Sequence, residues 1–284
     1  MKIKFMLAFG ILAVSSLVMF QAQASGAAAK IVVDSRQLDR DSIKVWIFFA
    51  DKGERINNLS KPKAISESAR IRRAIRGSTV GASYLDREIS SEYIEEIRPY
   101  VTRIVHHSRW LNAISAYVKP SKLDDIATLE TVSQVRTVAT YTRPIDIETH
   151  DLFDKSLGPF PPDYGPSFVQ MNQIQVPALH DLGYKGEGIR ILMLDTGFRV
   201  NHPVFAHTDI EATYDFINND ADVDDDLPDS SQPIHGTQTF SIIGASVEGL
   251  MLGVAYEATF LLAKTEIRAD EIQAEEDNWV AGIE

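Results

Sequence analysis

The sequence contains no cysteine in 284 residues. This absence excludes a disulfide framework, a thiolate metal site and a cysteine nucleophile, so the cellular compartment has to be inferred from other features. The sequence also contains no internal repeat and no heptad pattern, and after residue 20 it has no apolar run long enough to cross a bilayer. With 44% hydrophobic and 24% charged residues, we expect an ordinary globular protein.

The N-terminus has the pattern of a secretory signal peptide. Two lysines precede an apolar run over residues 5–20, and Ala22 and Ala24 then form the small-x-small pattern of a cleavage site. The alternative is an uncleaved membrane anchor, but this run is shorter than the roughly 20 residues that a spanning helix needs. The pattern predicts a signal peptide over residues 1–24 and a mature protein that is soluble, extracytoplasmic and not attached to a membrane.

Basic side chains are scarce in the second half of the chain. Residues 1–150 contain 22 basic and 16 acidic side chains, whereas residues 151–284 contain 6 and 24, so the net charges of the halves are +6 and −18. The acidic half would repel the phosphates of a nucleic acid, and the basic charges of the first half are dispersed among acids. We therefore expect no nucleic-acid binding, and instead two domains whose charges complement each other.

The first half has the pattern of a small α+β sandwich. A β-branched and aromatic run predicts a buried strand over residues 43–50, and Ile71 and Ile75 at helical spacing predict a helix with a basic outer face over residues 66–78. The remaining predicted elements are a helix over 89–100, two strands within 103–120, a helix from 121 to about 129 and a strand near 135–140. This order of strands and helices resembles a ferredoxin-like fold.

A polar, proline-rich segment over residues 141–167 separates this unit from a second one. Beyond it strands alternate with helices, which predicts a parallel sheet covered by helices on both faces. The predicted elements are a short helix closing on Gly183, strands over 189–195, 212–218 and 258–266, and helices over 235–247 and 274–284.

A lone aspartate ends the first strand of the second unit. Asp195 follows an apolar run and precedes a Thr-Gly turn, and in parallel sheets functional residues collect at the carboxyl ends of strands. The alternative for this carboxylate is a turn cap. His235 comes 40 residues later, immediately before a glycine and at the start of a predicted helix. A buried carboxylate that accepts a hydrogen bond from one imidazole nitrogen leaves the other nitrogen as a base toward a serine hydroxyl.

These motifs resemble those of the subtilisin-like serine peptidases, also called subtilases or peptidase family S8. Residues 188–205 resemble the aspartate block of that family, residues 235–245 its histidine block, and residues 253–266 the strand that follows; the first unit is similar to the subtilase propeptide. Two departures are Gln238, in place of a usual histidine, and Tyr256, in place of a common proline.

The resemblance implies a precursor made of four segments. They are a signal peptide over 1–24, a ferredoxin-like propeptide over 25–142, a linker and the start of the mature region over 143–172, and the N-terminal half of a parallel-sheet α/β catalytic domain over 173–284. It also implies a secreted endopeptidase that hydrolyses protein or peptide substrates through an acyl-enzyme, requires no cofactor, and is inhibited intramolecularly by its own propeptide. Asp195 and His235 are the two triad residues that carry over.

The serine of the triad has no counterpart in the sequence. Only Ser241 and Ser246 follow His235, and both lie within the predicted helix without a glycine elbow. We therefore expect an incomplete reading frame that stops before the catalytic serine, and an inactive 284-residue chain. The alternative is a noncatalytic binding or peptidase-inhibitory remnant of a subtilase, and the DNA downstream of Glu284 would distinguish the two.

An acidic loop has part of the pattern of a calcium site. Asp220, Asp222 and Asp224 have the spacing of the first ligands of an EF-hand, but no glycine stands at the sixth position and Ser231 stands at the twelfth. This excludes an EF-hand and leaves a looser calcium site or a solvated loop as the alternatives.

Four further histidines have structural explanations. His180 ends a predicted helix, where a cation suits the helix dipole, and His202 before a proline is expected to be a packed turn residue. The adjacent His106 and His107 are either a pH sensor for release of the propeptide or plain surface residues of a strand.

Overall fold

The structure is a computed structural model that describes residues 30–78, 80–139, 162–224, 231–267 and 274–284. The predicted signal peptide and most of the predicted linker lie outside these residues. Within the described ranges, every helix falls short of the length and apolarity that crossing a bilayer requires.

The first unit is a five-stranded sheet with the predicted ferredoxin-like arrangement. Its strands are β1 (Ile31–Val32), β2 (Ile43–Phe49), β3 (Val101–Ser108), β4 (Ala113–Val118) and β5 (Val132–Thr137), and its helices are α1 (Glu67–Ile75), α2 (Ser91–Ile97) and α3 (Leu123–Thr128). The strand order is β1-β5-β2-β4-β3, with antiparallel pairing except for the two-residue β1 along β5. The four longer strands confirm the prediction, whereas β1 was not predicted because two residues have no recognisable period.

One face of this sheet packs on α2 and α3. Alternate residues of β2 point to this face because side chains alternate along a strand. With residues of the two helices they form the main core of the unit, which contains Ile43, Val45, Ile47, Phe49, Tyr93, Ile97, Leu123 and Ile126. The apolar face of α2, predicted from its spacing, is therefore part of this core.

Helix α1 differs from the expectation drawn from its pattern. It begins after Ser66, whose side chain accepts a hydrogen bond from Ala69 N, but none of its residues is buried. Ile71 and Ile75 are 52% and 80% exposed. The helix is held instead through Arg73, which forms an ion pair with a buried carboxylate of the following loop. An apolar spacing predicted the helix, but no other part of the described chain covers its apolar face.

The second unit contains the predicted parallel sheet. Its strands are β6 (Arg190–Asp195), β7 (Asp209–Asp215) and β10 (Thr259–Lys264), in the order β6-β10-β7. A short hairpin, β8 (Ser246–Val247) with β9 (Met251–Leu252), was not predicted. The helices are α4 (Phe168–Gln173), α5 (Val176–Asp181), α6 (Ile234–Gly244) and α7 (Ala274–Ile283). The α/β class predicted from the alternation of strands and helices is confirmed.

Helices α6 and α7 lie on opposite faces of the parallel sheet. Phe240 of α6 packs against Phe198 and Phe260, with ring centroids 5.9 and 4.9 Å apart. On the other face, Gly282 of α7 lies so close to β6 that an added Cβ would come within 2.8 Å of Leu194 Cδ2. This packing brings the carboxyl end of β6 next to the start of α6.

Candidate active site

Asp195 is the last residue of β6 and is buried, with 7% of its surface exposed. Its Oδ1 accepts a hydrogen bond from Thr196 N at 2.7 Å and lies 2.7 Å from His235 Nδ1. The structure therefore brings together the two residues that the sequence singled out. The carboxylate also interacts with its own turn, so the capping role and the histidine contact are combined.

The turn after Asp195 depends on a glycine. Gly197 has a φ of 130°, and an added Cβ would lie 2.7 Å from Val223 O. The next residue, Phe198, donates its backbone N–H to the same Val223 oxygen at 2.7 Å. Glycine tolerates this conformation, which most residues do not. The chain can therefore turn away from β6 two residues after Asp195.

The start of α6 approaches this turn at very short range. Gly236 donates its N–H to Thr196 Oγ1 at 3.3 Å, and a Cβ at this position would lie 2.0 Å from Gly197 O. Any side chain would push the helix away from the turn. The glycine that follows His235 is therefore what lets the imidazole reach Asp195.

Thr239 is a site residue that the sequence reasoning missed. Its Oγ1 lies 3.0 Å from both Asp195 Oδ2 and Gly236 O, so its single hydroxyl proton is shared between these two acceptors. It lies four residues after His235, so the two side chains share one face of α6. That spacing was the available signal. Both oxygens of the carboxylate thus have a partner on the same helix.

Two further contacts, also missed, connect the site to its surroundings. Gln232 is buried and donates through Nε2 to Thr196 O at 2.7 Å and to Glu266 O at 2.8 Å. Thr265 N donates to Asp195 O at 3.0 Å. These bonds hold the ends of β6 and β10 against the segment that precedes α6.

A buried lysine lies beside the site without pairing with its aspartate. Lys264 is the register partner of Asp195 in β10, but its Nζ lies 2.9 Å from Asp215 Oδ2 at the end of β7. Asp215 also accepts backbone N–H groups from Ile217 and Asn218. The charge of Lys264 is therefore compensated by Asp215 rather than by Asp195.

The geometry sets the chemistry of the imidazole. A carboxylate only accepts hydrogen bonds, so Nδ1 of His235 carries the proton in this contact and Nε2 of the neutral ring is the basic nitrogen. The His235 side chain is 40% exposed and that of Asp195 only 9%. The pair therefore combines a covered acceptor with an accessible base.

Neither serine after His235 is directed toward the imidazole. Ser241 Oγ donates to Gln238 O at 2.8 Å within α6. Ser246 Oγ lies 2.9 Å from Thr208 Oγ1 and accepts from the backbone of His207 at 3.1 Å. Both hydroxyls are thus bonded locally, and the expectation that neither is a nucleophile stays a prediction.

The acidic loop is organised by its own backbone where it is described. Asp220 Oδ1 accepts from Asp222 N at 2.9 Å, and Asp222 Oδ1 accepts from Asp224 N at 3.0 Å. Residues 225–230 lie outside the described residues. In the part of the chain that the structure covers, no three acidic or histidine side chains are grouped as metal ligands.

His180 and His202 have roles that differ in detail from those expected. His180 is buried rather than capping its helix: its Nε2 donates to Val254 O at 3.1 Å, so Nδ1 accepts from Tyr164 OH at 2.7 Å. The bulk of Tyr164 stacked on its ring explains the burial. His202 is an exposed turn residue that accepts a hydrogen bond from Val204 N.

The adjacent strand histidines point in different directions. His107 is exposed, whereas His106 is half-buried with its Nε2 2.7 Å from Asn278 Oδ1 of α7. Asn278 Nδ2 donates to Thr265 O, so its oxygen faces the imidazole and His106 is the donor. Nε2 of His106 therefore carries a proton in this contact, and the pH-sensor hypothesis for the two histidines stays a prediction.

Two family models match the chain. Residues 44–151 match the peptidase S8 propeptide domain of Bacteroidota, and residues 186–279 match the subtilase family. The minor extracellular protease Vpr of Bacillus subtilis (strain 168) is 32% identical over 108 residues, which are 37% of this chain and 13% of Vpr.

Two solved structures of proteases are similar to the chain. Fervidolysin from Fervidobacterium pennivorans, a keratinolytic enzyme related to subtilisin, matches with a TM-score of 0.50 and 14% identity over 89% of this chain and 35% of that one. The epidermin leader peptide processing serine protease of Staphylococcus aureus matches with a TM-score of 0.45 and 13% identity, over 80% and 43% of the two chains. The chain thus spans well under two thirds of these relatives. Along the chain, the match to the peptidase S8 propeptide domain precedes the match to the subtilase family, so each of the two units is similar to the corresponding part of a subtilisin-like peptidase.

Proposed function

We propose that the chain is the propeptide and the N-terminal part of the catalytic domain of a secreted subtilisin-like serine endopeptidase. The reaction is hydrolysis of a peptide bond through an acyl-enzyme. Asp195 orients His235, and His235 takes the proton of a serine hydroxyl and returns it to the leaving amine. Secretion is supported by the signal-peptide pattern at the N-terminus.

The observation that carries this proposal is the 2.7 Å contact between His235 Nδ1 and Asp195 Oδ1. It selects the tautomer in which Nε2 is the base, and Thr239 on the other carboxylate oxygen holds the acceptor in place. An aspartate that served only as a turn cap would need neither contact. The subtilase match over residues 186–279 includes all three residues.

We further propose that the first unit inhibits the catalytic unit until the chain is cut between about Val138 and Tyr164. The propeptide match over residues 44–151 supports this role. N-terminal sequencing of the mature enzyme tests it. A mature, active enzyme that begins at Ser25 would contradict an inhibitory role.

The nucleophile assignment is tested with a fluorophosphonate probe, which labels activated serines. We expect no labelling of the 284-residue chain, because Ser241 and Ser246 are bonded locally. We expect one labelled serine in the product of the complete reading frame, and loss of that label in His235→Ala. Asp195→Asn should lower its turnover by about 10⁴-fold through the wrong imidazole tautomer. Labelling of Ser241 or Ser246 would refute the proposal, and an unlabelled complete product would favour a noncatalytic inhibitor.

A further inference from the structure

The second face of the five-stranded sheet is covered by α7. This outer face carries Lys44 and Trp46 of β2, and both are fully or almost fully buried. Trp46 packs in a small cluster with Ala113 and Val138 of the sheet and Val280 of α7. Without α7, this face of β2 would be exposed to solvent. The contact therefore joins the propeptide unit to the catalytic unit.

A buried ion pair lies in the middle of this contact. Lys44 Nζ lies 2.7 Å from the carboxylate of Asp277, and the two side chains are 1% and 0% exposed. Ser115 of β4 donates to Asp277 Oδ2 at 2.6 Å. Burial lowers the pKa of Lys44, and the charge of Asp277 partly offsets this effect. Each of the two buried charges therefore compensates the other within an otherwise apolar contact.

The contacts around this pair are polar, and the neighbouring ion pair is more exposed. Arg136 of β5 pairs with Glu276 at 3.2 Å, but their side chains are 43% and 22% exposed. His106 Nε2 lies 2.7 Å from Oδ1 of the buried Asn278, one residue beyond Asp277 on α7. Exposed ion pairs contribute little because water competes for both partners. The buried pair is therefore the position where a wrong partner would have the largest effect.

We propose that the Lys44–Asp277 pair is the specificity determinant by which this propeptide sheet recognises α7 of its own catalytic unit. A buried ion pair adds little over a matched apolar pair, but one member alone is strongly unfavourable because its charge is desolvated without compensation. The pair thus discriminates against helices that lack an acid at this position more than it strengthens the correct contact. This inference rests on the proposed propeptide role, since it concerns association after the connecting chain is cut.

The test uses the 284-residue chain with a site-specific protease sequence placed within residues 152–160, between the two matched segments. After cleavage, the dissociation constant of the two fragments is measured. We expect Lys44→Met and Asp277→Asn each to weaken association by about 10²–10³-fold. The double variant should return to within about tenfold of the unmodified chain, because it leaves no uncompensated charge. Glu276→Gln is the matched control, with an expected change below about fivefold.

Hydrogen exchange on the uncut variants shows whether they stay folded. We expect the amides of β6 and β10 to keep their protection while those of α7 exchange faster in each single variant. Single variants that bind like the unmodified chain would overturn the proposal. A double variant no better than the worse single variant would also overturn it, even if the single variants fail to fold. Neither readout depends on peptidase activity, so the triad assignment is tested separately.

Discussion

Replacing Gly236 by alanine tests whether the close approach of α6 to the turn after Asp195 builds the site. In an exposed helix this change would stabilise the chain by up to about 1 kcal/mol. Here the new Cβ would lie 2.0 Å from Gly197 O and 3.1 Å from Asp195 Cβ. The close carbonyl belongs to the backbone, so the helix has to move by about 1.4 Å to reach ordinary van der Waals contact at 3.4 Å. Overpacking of this kind costs about 1–3 kcal/mol, which outweighs the helix propensity.

The assay is thermal unfolding of the 284-residue chain, with Ser241→Ala in the same helix as the control. We expect Gly236→Ala to lower Tm by about 2–4 °C for each kcal/mol lost, and the control to stay within about 0.5 kcal/mol of the unmodified chain. The shift of α6 should also lengthen the contact between His235 and Asp195, which NMR of the Nδ1 proton reports. An increase in Tm, with this proton unchanged, would refute the close approach.

Three other substitutions test the packing around the site and in the first unit. Asp86→Asn should reduce the loss of stability, measured by urea unfolding, as the pH falls from about 5 to about 2. Hydrogen bonds from its arginine partner hold the pKa of Asp86 well below its usual range, so the stabilisation that Asp86 contributes is present above about pH 4 and is lost below it. An unchanged dependence of stability on pH would contradict this. Lys264→Met should lower the free energy of unfolding by about 3–5 kcal/mol, because it leaves the buried Asp215 charge without its ion pair. The control Arg190→Gln, at an exposed ion pair, should lower it by less than about 1 kcal/mol. Equal losses in the two variants would be inconsistent with this account. Thr239→Val should cost about 1–3 kcal/mol in the same assay, since it removes a donor to the buried site carboxylate, and a neutral result would argue against that hydrogen bond.

The main elements could be predicted because their periods are local. The apolar run of residues 43–50 and the alternation of strands and helices after residue 188 predicted the two sheets found. Pairing of Asp195 with His235 was also accessible, because Asp195 precedes a Thr-Gly turn and His235 directly precedes a glycine, each in a recognisable motif. Its assignment as a catalytic pair stays a prediction, as do the domain limits and the signal peptide.

The missed features depend on partners far along the chain. Ile71 and Ile75 have the spacing of a buried face, yet the described structure leaves them exposed because no described element covers their side chains. In the sequence, Thr239 is distinguished only by its position four residues after His235. Its hydrogen bond to Asp195 Oδ2, at 3.0 Å, is seen only in the structure.

The sequence by itself determined the class of each unit and the residues available for chemistry, because periodicity and turn residues act over short distances. It also indicated that the positive first half and the negative second half would complement each other. Only the tertiary structure decided which charges meet. Lys44 is a charged residue within an apolar strand, and it is buried because Asp277, 233 positions later, lies on a helix that covers the outer face of the sheet. A charge is buried only where the fold supplies its partner, and that partner is set by the packing of two units rather than by any local pattern.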